Sequence, residues 1–354
     1  MKIIHLIWSF NVGGAESMLV DILNEQSKTE EVHLMIVNQL ESSALVDTIS
    51  KDVQIHRISR KPGSRNILNL LHCNIKILKL HPNVIHCHNH DLVQFIRLAR
   101  QATQKLFLTI HDTGISTHNF SKYNRLFAIS KAVQKDVYDR AGLVPVIVCN
   151  GIKTDLIKKK IDYAFENFRV VQVGRLNHEH KGQDIVLHAL AHLVHYRNIK
   201  NVSIDYIGIG NSEAYLRDFA KKLKITDHCN FIGLKQREWI YDHLCEYDLL
   251  VQPSRHEGFG LTVVEAMAAK VPVLVSGIEG PMEIIDNGKY GYSFISENSR
   301  DLAQKILSIQ EEYRSSAFYN KITNGYDHII QLYDIKQTAS NYHKQYARND
   351  NTES

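Results

Sequence analysis

The sequence contains no apolar run near the 18 or so residues that a membrane span requires, and residues 1–8 are too short for a signal sequence, reading instead as a first strand. Cysteines are few and scattered, at positions 73, 87, 149, 229 and 245, with no Cys-x-x-Cys pair. An odd, dispersed set excludes a disulfide framework and a cysteine zinc site, and points to a reducing cytoplasm. Gly-x-Gly-x-x-Gly is missing, so the dinucleotide fingerprint is excluded. Low-complexity tracts and short repeats are absent too, which leaves an ordinary globular chain.

What is present is a balanced composition with a hidden asymmetry. The 354 residues are 44% hydrophobic and 23% charged, enough for ample core and two domains. Residues 1–165 hold 21 Lys and Arg against 14 Asp and Glu, whereas the remainder holds 21 against 24, so the first half is basic. No aromatic-lined basic surface or recognition motif accompanies the excess, which speaks against nucleic acid. Contact with an anionic membrane is the other use of such charge. The segment with Ile67, Leu70, Leu71, Ile75 and Leu78 reads as a helix whose other face carries Arg65, His72, Lys76 and Lys79, next to Arg57, Arg60 and Lys61. Packing of that apolar stripe against a sheet accounts for it equally well.

Along the chain, apolar strand segments alternate with glycine turns and helical patterns. A first series runs from residue 2 to Asn150-Gly151, and a second begins at Phe168 after a stretch, 152–167, that loses its apolar period. The fold class is therefore α/β, two doubly wound Rossmann-like domains, with the ligand expected between them. The expected divisions are 1–160, 161–330 and a tail segment 331–354, of which 349–354 reads as disordered.

The candidate site residues cluster at strand ends. Residues 254–269 run from a turn with Gly258 and Gly260 into a helix, and Leu261 and Thr262 supply the first helical amides, suited to a phosphate. Glu257 and Glu265 add carboxylates that accept paired sugar hydroxyls. An ordinary strand-to-helix turn with solvated acids fits the same letters. Arg175 and Lys181 sit after another strand, where cations meet a diphosphate. His111 follows the strand 105–110, placed either for a substrate or for a backbone bond. His86, His88 and His90 alternate and would share one side if their strand continued. A metal trio is conceivable there, but no carboxylate or cysteine set accompanies it.

Taken in order, Gly13-Gly-Ala-Glu16, His111, Asn150-Gly-Ile152, Gly174-Arg-Leu176, Lys181-Gly182, Gly208-Ile-Gly210, Phe231-Ile-Gly233 and Glu257-Gly-Phe-Gly260 through Glu265 resemble the retaining glycosyltransferases of the GT4 group. The resemblance spans nearly the whole chain and implies the GT-B fold, with final helices crossing back to the first domain. It implies that Arg175 and Lys181 hold a donor diphosphate and Glu257 bonds the donor sugar, with the backbone of Gly258, Phe259 and Gly260. Leu261 and Thr262 would take phosphate, Glu265 the ribose, and Phe231 and Ile232 the base. Gly14 would approach the donor, and His111 the transferred sugar. No metal or other cofactor is implied, and a UDP-sugar is expected ahead of a GDP-sugar. The acceptor would be a saccharide or lipid-linked, used in bacterial cell-surface polysaccharide or lipopolysaccharide assembly at the cytoplasmic face of the inner membrane. A sugar-nucleotide 2-epimerase and a non-catalytic binding subunit share the fold as alternatives. The insert 177–180 with His178, and the histidines at 88 and 90, depart from the general pattern.

Overall fold

Strands that are apolar on both faces must be covered by helices on both sides, which is the condition for parallel sheets. The computed structural model describes residues 1–11, 13–103 and 105–348, so the tail 349–354 lies outside the described residues. The chain divides into two compact units, Met1–Ile152 together with the chain from Asp334, and Lys153–Tyr333.

In the first unit, β1 (Lys2–Ile7), β2 (Glu31–Asn38), β3 (Gln54–Arg60), β4 (Val84–Cys87), β5 (Leu106–Ile110), β6 (Arg125–Ala128) and β7 (Val146–Ile147) form one parallel sheet in the order β3-β2-β1-β4-β5-β6-β7. The order reverses between β1 and β4. Connections leaving those two strands part in opposite directions, and a crevice opens at their carboxyl ends. The core joins Ile3, Val84, Phe107 and Phe127 to Met18 and Ile22 of the helix Gly14–Gln26 and to Ile335, Tyr342 and Tyr346 of the last helix, Ile335–Ala347.

In the second unit, β8 (Phe168–Val173), β9 (Val202–Ile207), β10 (Cys229–Gly233), β11 (Leu249–Gln252), β12 (Val273–Ser276) and β13 (Tyr292–Phe294) form a second parallel sheet, ordered β10-β9-β8-β11-β12-β13. Its reversal lies between β8 and β11. Phe168, Val170, Ile204, Leu249, Val251 and Leu274 share one face of this sheet by register and pack there against the helices Gln183–Ala191, Glu213–Lys222 and Ser299–Glu312.

Three readings of the sequence need correction. The boundary falls between Ile152 and Lys153 instead of at 160, because the following segment is fastened to the second unit. Lys158 N donates to Tyr241 O (3.0 Å), Lys160 N donates to Ala269 O (2.8 Å), and the buried Lys160 ammonium meets Asp248 at 3.1 Å. The helix Ile67–Leu80 does not pack its apolar stripe on the sheet. It buries Cys73, Asn74 and Ile77, and Asn74 anchors it by donating to Leu70 O and Phe95 O and accepting from Ala99 N. Ile67, Leu68, Leu71, Ile75 and Leu78 stay 59%, 66%, 37%, 49% and 42% exposed. Arg60, expected on the neighbouring basic surface, is turned inward. Its guanidinium lies 5.0 Å from the Trp8 ring and donates to Asn38 Oδ1 and Ser64 O.

Candidate functional site

The switch point of the second unit brings together residues far apart in the chain. Lys181 ends the short helix His178–Lys181 after β8, and Glu257 lies in the loop after β11. Lys181 Nζ sits 2.6 Å from Glu257 Oε2. The same oxygen accepts from Gln252 Nε2 (2.7 Å) and Ser254 Oγ (3.3 Å), while Thr262 Oγ1 donates to Gln252 Oε1 (3.0 Å). Three donors on one oxygen fix the carboxylate. Oε1 has no hydrogen-bond partner among the described residues and remains able to accept from a ligand hydroxyl.

Beside this pair a helix begins with its leading amides outside the helical ladder, an arrangement suited to an anion. Gly260 caps the helix Leu261–Ala268 in left-handed backbone, φ 119°, without a side-chain cap. Its carbonyl already accepts from Val263 N and Val264 N, so the amides of Leu261 and Thr262 lie ahead of the helical ladder at the positive end of its dipole. Arg175 is exposed after β8, and its guanidinium has no hydrogen bond or ion pair among the described residues. An ammonium retains two further donors when one is engaged. Lys181 can therefore keep Glu257 and still contact a diphosphate.

Other sequence candidates are placed less directly. Phe259 is buried against Tyr333, so only its backbone is on offer. Glu265 is buried on the helix Leu261–Ala268. The Phe231 ring is stacked on Tyr206 at 5.1 Å and covered by Arg217 at 4.4 Å, which commits it to packing. Ile232 is half-buried on β10, at the sheet edge where pairing with β9 shifts register between Phe231 and Gly233. His178 of the insert is taken up locally, within 2.8 Å of Ser212 Oγ and stacked on Tyr215.

Sequence reasoning missed Arg255. Its guanidinium forks onto both oxygens of Asp184 (2.9 Å each), meets Glu297 at 2.7 Å and donates to His178 O, while its backbone N donates to His180 O (2.8 Å). These bonds tie the Glu257 loop to the Lys181 helix. The charge partners push the Arg255 guanidinium pKa up, Asp184 foremost. The clue was a lone arginine two residues before Glu257.

At the switch point of the first unit lies a chain of histidines. His5 on β1 and His86 on β4 are register partners. His88 follows β4 and His111 follows β5. His5 Nε2 is 2.8 Å from Gln26 Oε1, His5 Nδ1 is 3.0 Å from His88 Nε2, and His88 Nδ1 is 3.1 Å from His111 Nε2. His86 branches off, bonded to Tyr346 OH (2.6 Å) and Thr109 Oγ1 (2.7 Å). Burial pulls the His5 and His111 imidazoles down to about 4 and holds His86 and His88 well below the ordinary 6.5. A cavity of about 100 Å³ is lined by Ile7, Ala15, Glu16, Leu19, His88, Asn89 and His111. Gly14 opens the helix that carries Ala15 and Glu16.

The expected alternation of His86, His88 and His90 fails, because β4 ends at Cys87 and His90 turns edge-on to Phe120. His5 takes its place. His5, His86 and His88 offer ring nitrogens within 4.8 Å of one another, a spacing that a metal could use. Each of their nitrogens already has a hydrogen-bond partner, so the geometry is that of a bonded network. A histidine inside an apolar strand, as in Lys2–Ile7, was the available signal for His5.

Comparison with known proteins converges on one chemistry. The family model described as Glycosyl transferases group 1 matches residues 153–324. An uncharacterized glycosyltransferase of Methanocaldococcus jannaschii is 25% identical over 329 residues, covering 86% of this chain and 87% of the relative. The O-antigen biosynthesis glycosyltransferase WclY of Escherichia coli is 22% identical over 372 residues, covering 94% and 99%. Among solved structures, Anabaena Alr3699/HepE in complex with UDP and glucose superposes with a TM-score of 0.81 at 21% identity, covering 99% of this chain and all of that one. That likeness establishes the fold, two Rossmann-like domains of the GT-B type.

Proposed function

From the premise that this chain is a glycosyltransferase, carrying a group 1 domain at residues 153–324, we propose that it transfers a sugar, with retention at the anomeric carbon, from a nucleoside diphosphate sugar to a saccharide or lipid-linked acceptor. The observation that carries this is the Lys181–Glu257 pair beside the leading amides of the helix Leu261–Ala268. It sets a cation, a hydroxyl acceptor and a phosphate-binding helix end in one loop cluster.

In this reading, Lys181, Arg175 and the amides of Leu261 and Thr262 offset charge on the departing diphosphate, so the step runs without a metal. Glu257 Oε1 accepts from a hydroxyl of the donor sugar, and Glu265 serves the ribose. The leaving phosphate oxygen takes the proton of the incoming acceptor hydroxyl, and the new glycosidic bond forms on the face the phosphate leaves. Positioning and electrostatics supply most of the barrier reduction. UDP is the favoured nucleotide, in keeping with the UDP named for the Anabaena structure.

The acceptor reading rests on a second observation. The exposed stripe Ile67, Leu68, Leu71, Ile75 and Leu78, flanked by His72, Lys76 and Lys79, suits the surface of an anionic bilayer. No helix among the described residues is long and apolar enough to cross a membrane, and contact from one face is what a lipid-linked acceptor requires. The WclY relative, named for O-antigen biosynthesis, supports cell-surface polysaccharide assembly at the cytoplasmic face of the inner membrane.

The test is a panel of UDP- and GDP-sugars offered with saccharide and lipid-linked acceptors. The expected result is acceptor-dependent release of nucleoside diphosphate from one donor, with an α-donor giving an α-product by NMR. Interconversion of donor sugars without acceptor would assign the chain to epimerisation, and tight donor binding with no turnover would assign it to a binding role.

A further inference from the structure

The chain of three histidines that starts at Gln26 has a direction. The side-chain oxygen of Gln26 can only accept, so the His5 nitrogen facing it, Nε2, must donate. A neutral imidazole carries one N–H, which leaves His5 Nδ1 as an acceptor. His88 Nε2, 3.0 Å away, must then donate to it. By the same step His88 Nδ1 accepts, and His111 Nε2, at 3.1 Å, donates. One nitrogen is left at the end of the chain. His111 Nδ1 is enclosed and has no partner among the described residues, and His111 lines the cavity with His88, Asn89 and Glu16.

We propose that Gln26, His5 and His88 are positioning residues that hold His111 in its Nε2–H tautomer, presenting Nδ1 as a fixed acceptor to a hydroxyl of the ligand that fills the cavity. The depressed basicity of these three rings keeps the chain neutral at physiological pH, which each donor–acceptor step requires. His86 backs the chain from the other side, its ring centroid 5.1 Å from His5 and 4.7 Å from His88, and ties it to the last helix through Tyr346. The identity of the ligand as a sugar rests on the glycosyltransferase reading; the tautomer does not.

The experiment is a long-range ¹H–¹⁵N correlation spectrum of the ligand-free, ¹⁵N-histidine-labelled full chain at neutral pH. The expected result is pyrrole-type Nε2 and pyridine-type Nδ1 signals for His5, His88 and His111 alike. A pyrrole-type Nδ1 on His111, or averaged signals, overturns the proposal. His88→Phe keeps a ring and removes both nitrogens. It should average the His111 tautomers and lower kcat/KM about tenfold, the scale of one lost hydrogen bond. His88→Asn, whose Oδ1 can stand in for Nδ1, should recover most of the loss. Equal activity of His88→Phe and wild type would also overturn the proposal. If His88→Phe does not fold, the wild-type spectrum alone decides. Should no sugar nucleotide be turned over at all, the glycosyltransferase reading fails while the spectrum still tests the relay.

Discussion

Lys181 Nζ and Glu257 Oε2 lie 2.6 Å apart although 76 residues separate them in sequence. Each comes from a loop at the carboxyl end of a strand flanking the reversal in strand order, β8 for one and β11 for the other. The pair is thus a product of sheet topology.

Lys181→Met should lower the rate of nucleoside diphosphate release by about 10²–10³, as loss of one charge-stabilising donor does. The partly exposed pair contributes little to folding, so the melting temperature should change by only a few degrees. Glu257→Ala should abolish turnover. Full activity of either variant would remove the site assignment.

Arg255 and Asp184 should behave as a unit. Arg255→Met and Asp184→Asn are each expected to lower activity with Lys181 and Glu257 both present, because the fork that joins their two loops is gone. The double variant should be no worse than the poorer single one. A double-mutant cycle on thermal stability measures this, and strict additivity would show that the fork does not couple the loops.

Gly182 and Gly142 have nearly the same backbone, φ 65° and 66°, but different surroundings. A methyl on Gly142 meets nothing within 4 Å, whereas one on Gly182 collides with the Pro253 carbonyl. Gly142→Ala should therefore cost about 1 kcal/mol, the conformational part alone. Gly182→Ala should cost several-fold more or prevent soluble expression, and equal denaturation midpoints would refute the steric argument.

Stability should fall on acidification below neutrality. An imidazole whose folded pKa is depressed binds its proton more tightly in the unfolded state, so the folded state loses ground as pH drops through the unfolded value near 6.5 and continues to lose it down to the folded value. For His5 that window runs from about 6.5 to about 4, worth on the order of 3 kcal/mol for this fully buried ring. Denaturant titrations at pH 7.5 and 5 would register the loss, and a flat profile would mean the ring is not buried neutral.

Replacing Leu68 and Ile75 with Ser should weaken partitioning onto anionic vesicles about tenfold or more, from the apolar area no longer inserted. Lys76→Gln with Lys79→Gln should remove about 1 kcal/mol of attraction per charge, and only on anionic lipid. All four side chains lie off the anchored face, so folding should be unaffected within about 0.5 kcal/mol per site. Unchanged sedimentation with vesicles would separate the helix from any membrane role.

The sequence by itself determined the two parallel sheets and the residues at their strand ends, since alternating apolar strands and amphipathic helices leave few other ways to bury a core. It marked Arg175, Lys181, Glu257 and His111 for the same reason: polar residues after an apolar strand lie at the sheet's edge. It did not determine which of them meet. Pairing of Lys181 with Glu257, the fork from Arg255 and the order His5, His88, His111 depend on which strands are neighbours, and neighbours in these sheets are distant in sequence. Tertiary structure alone also decided which face of the helix Ile67–Leu80 is buried. Cys73, Asn74 and Ile77 turn inward, where Asn74 bonds to Leu70 O, Phe95 O and Ala99 N, partners brought to it by the fold, while five aliphatic side chains stay on the outer face.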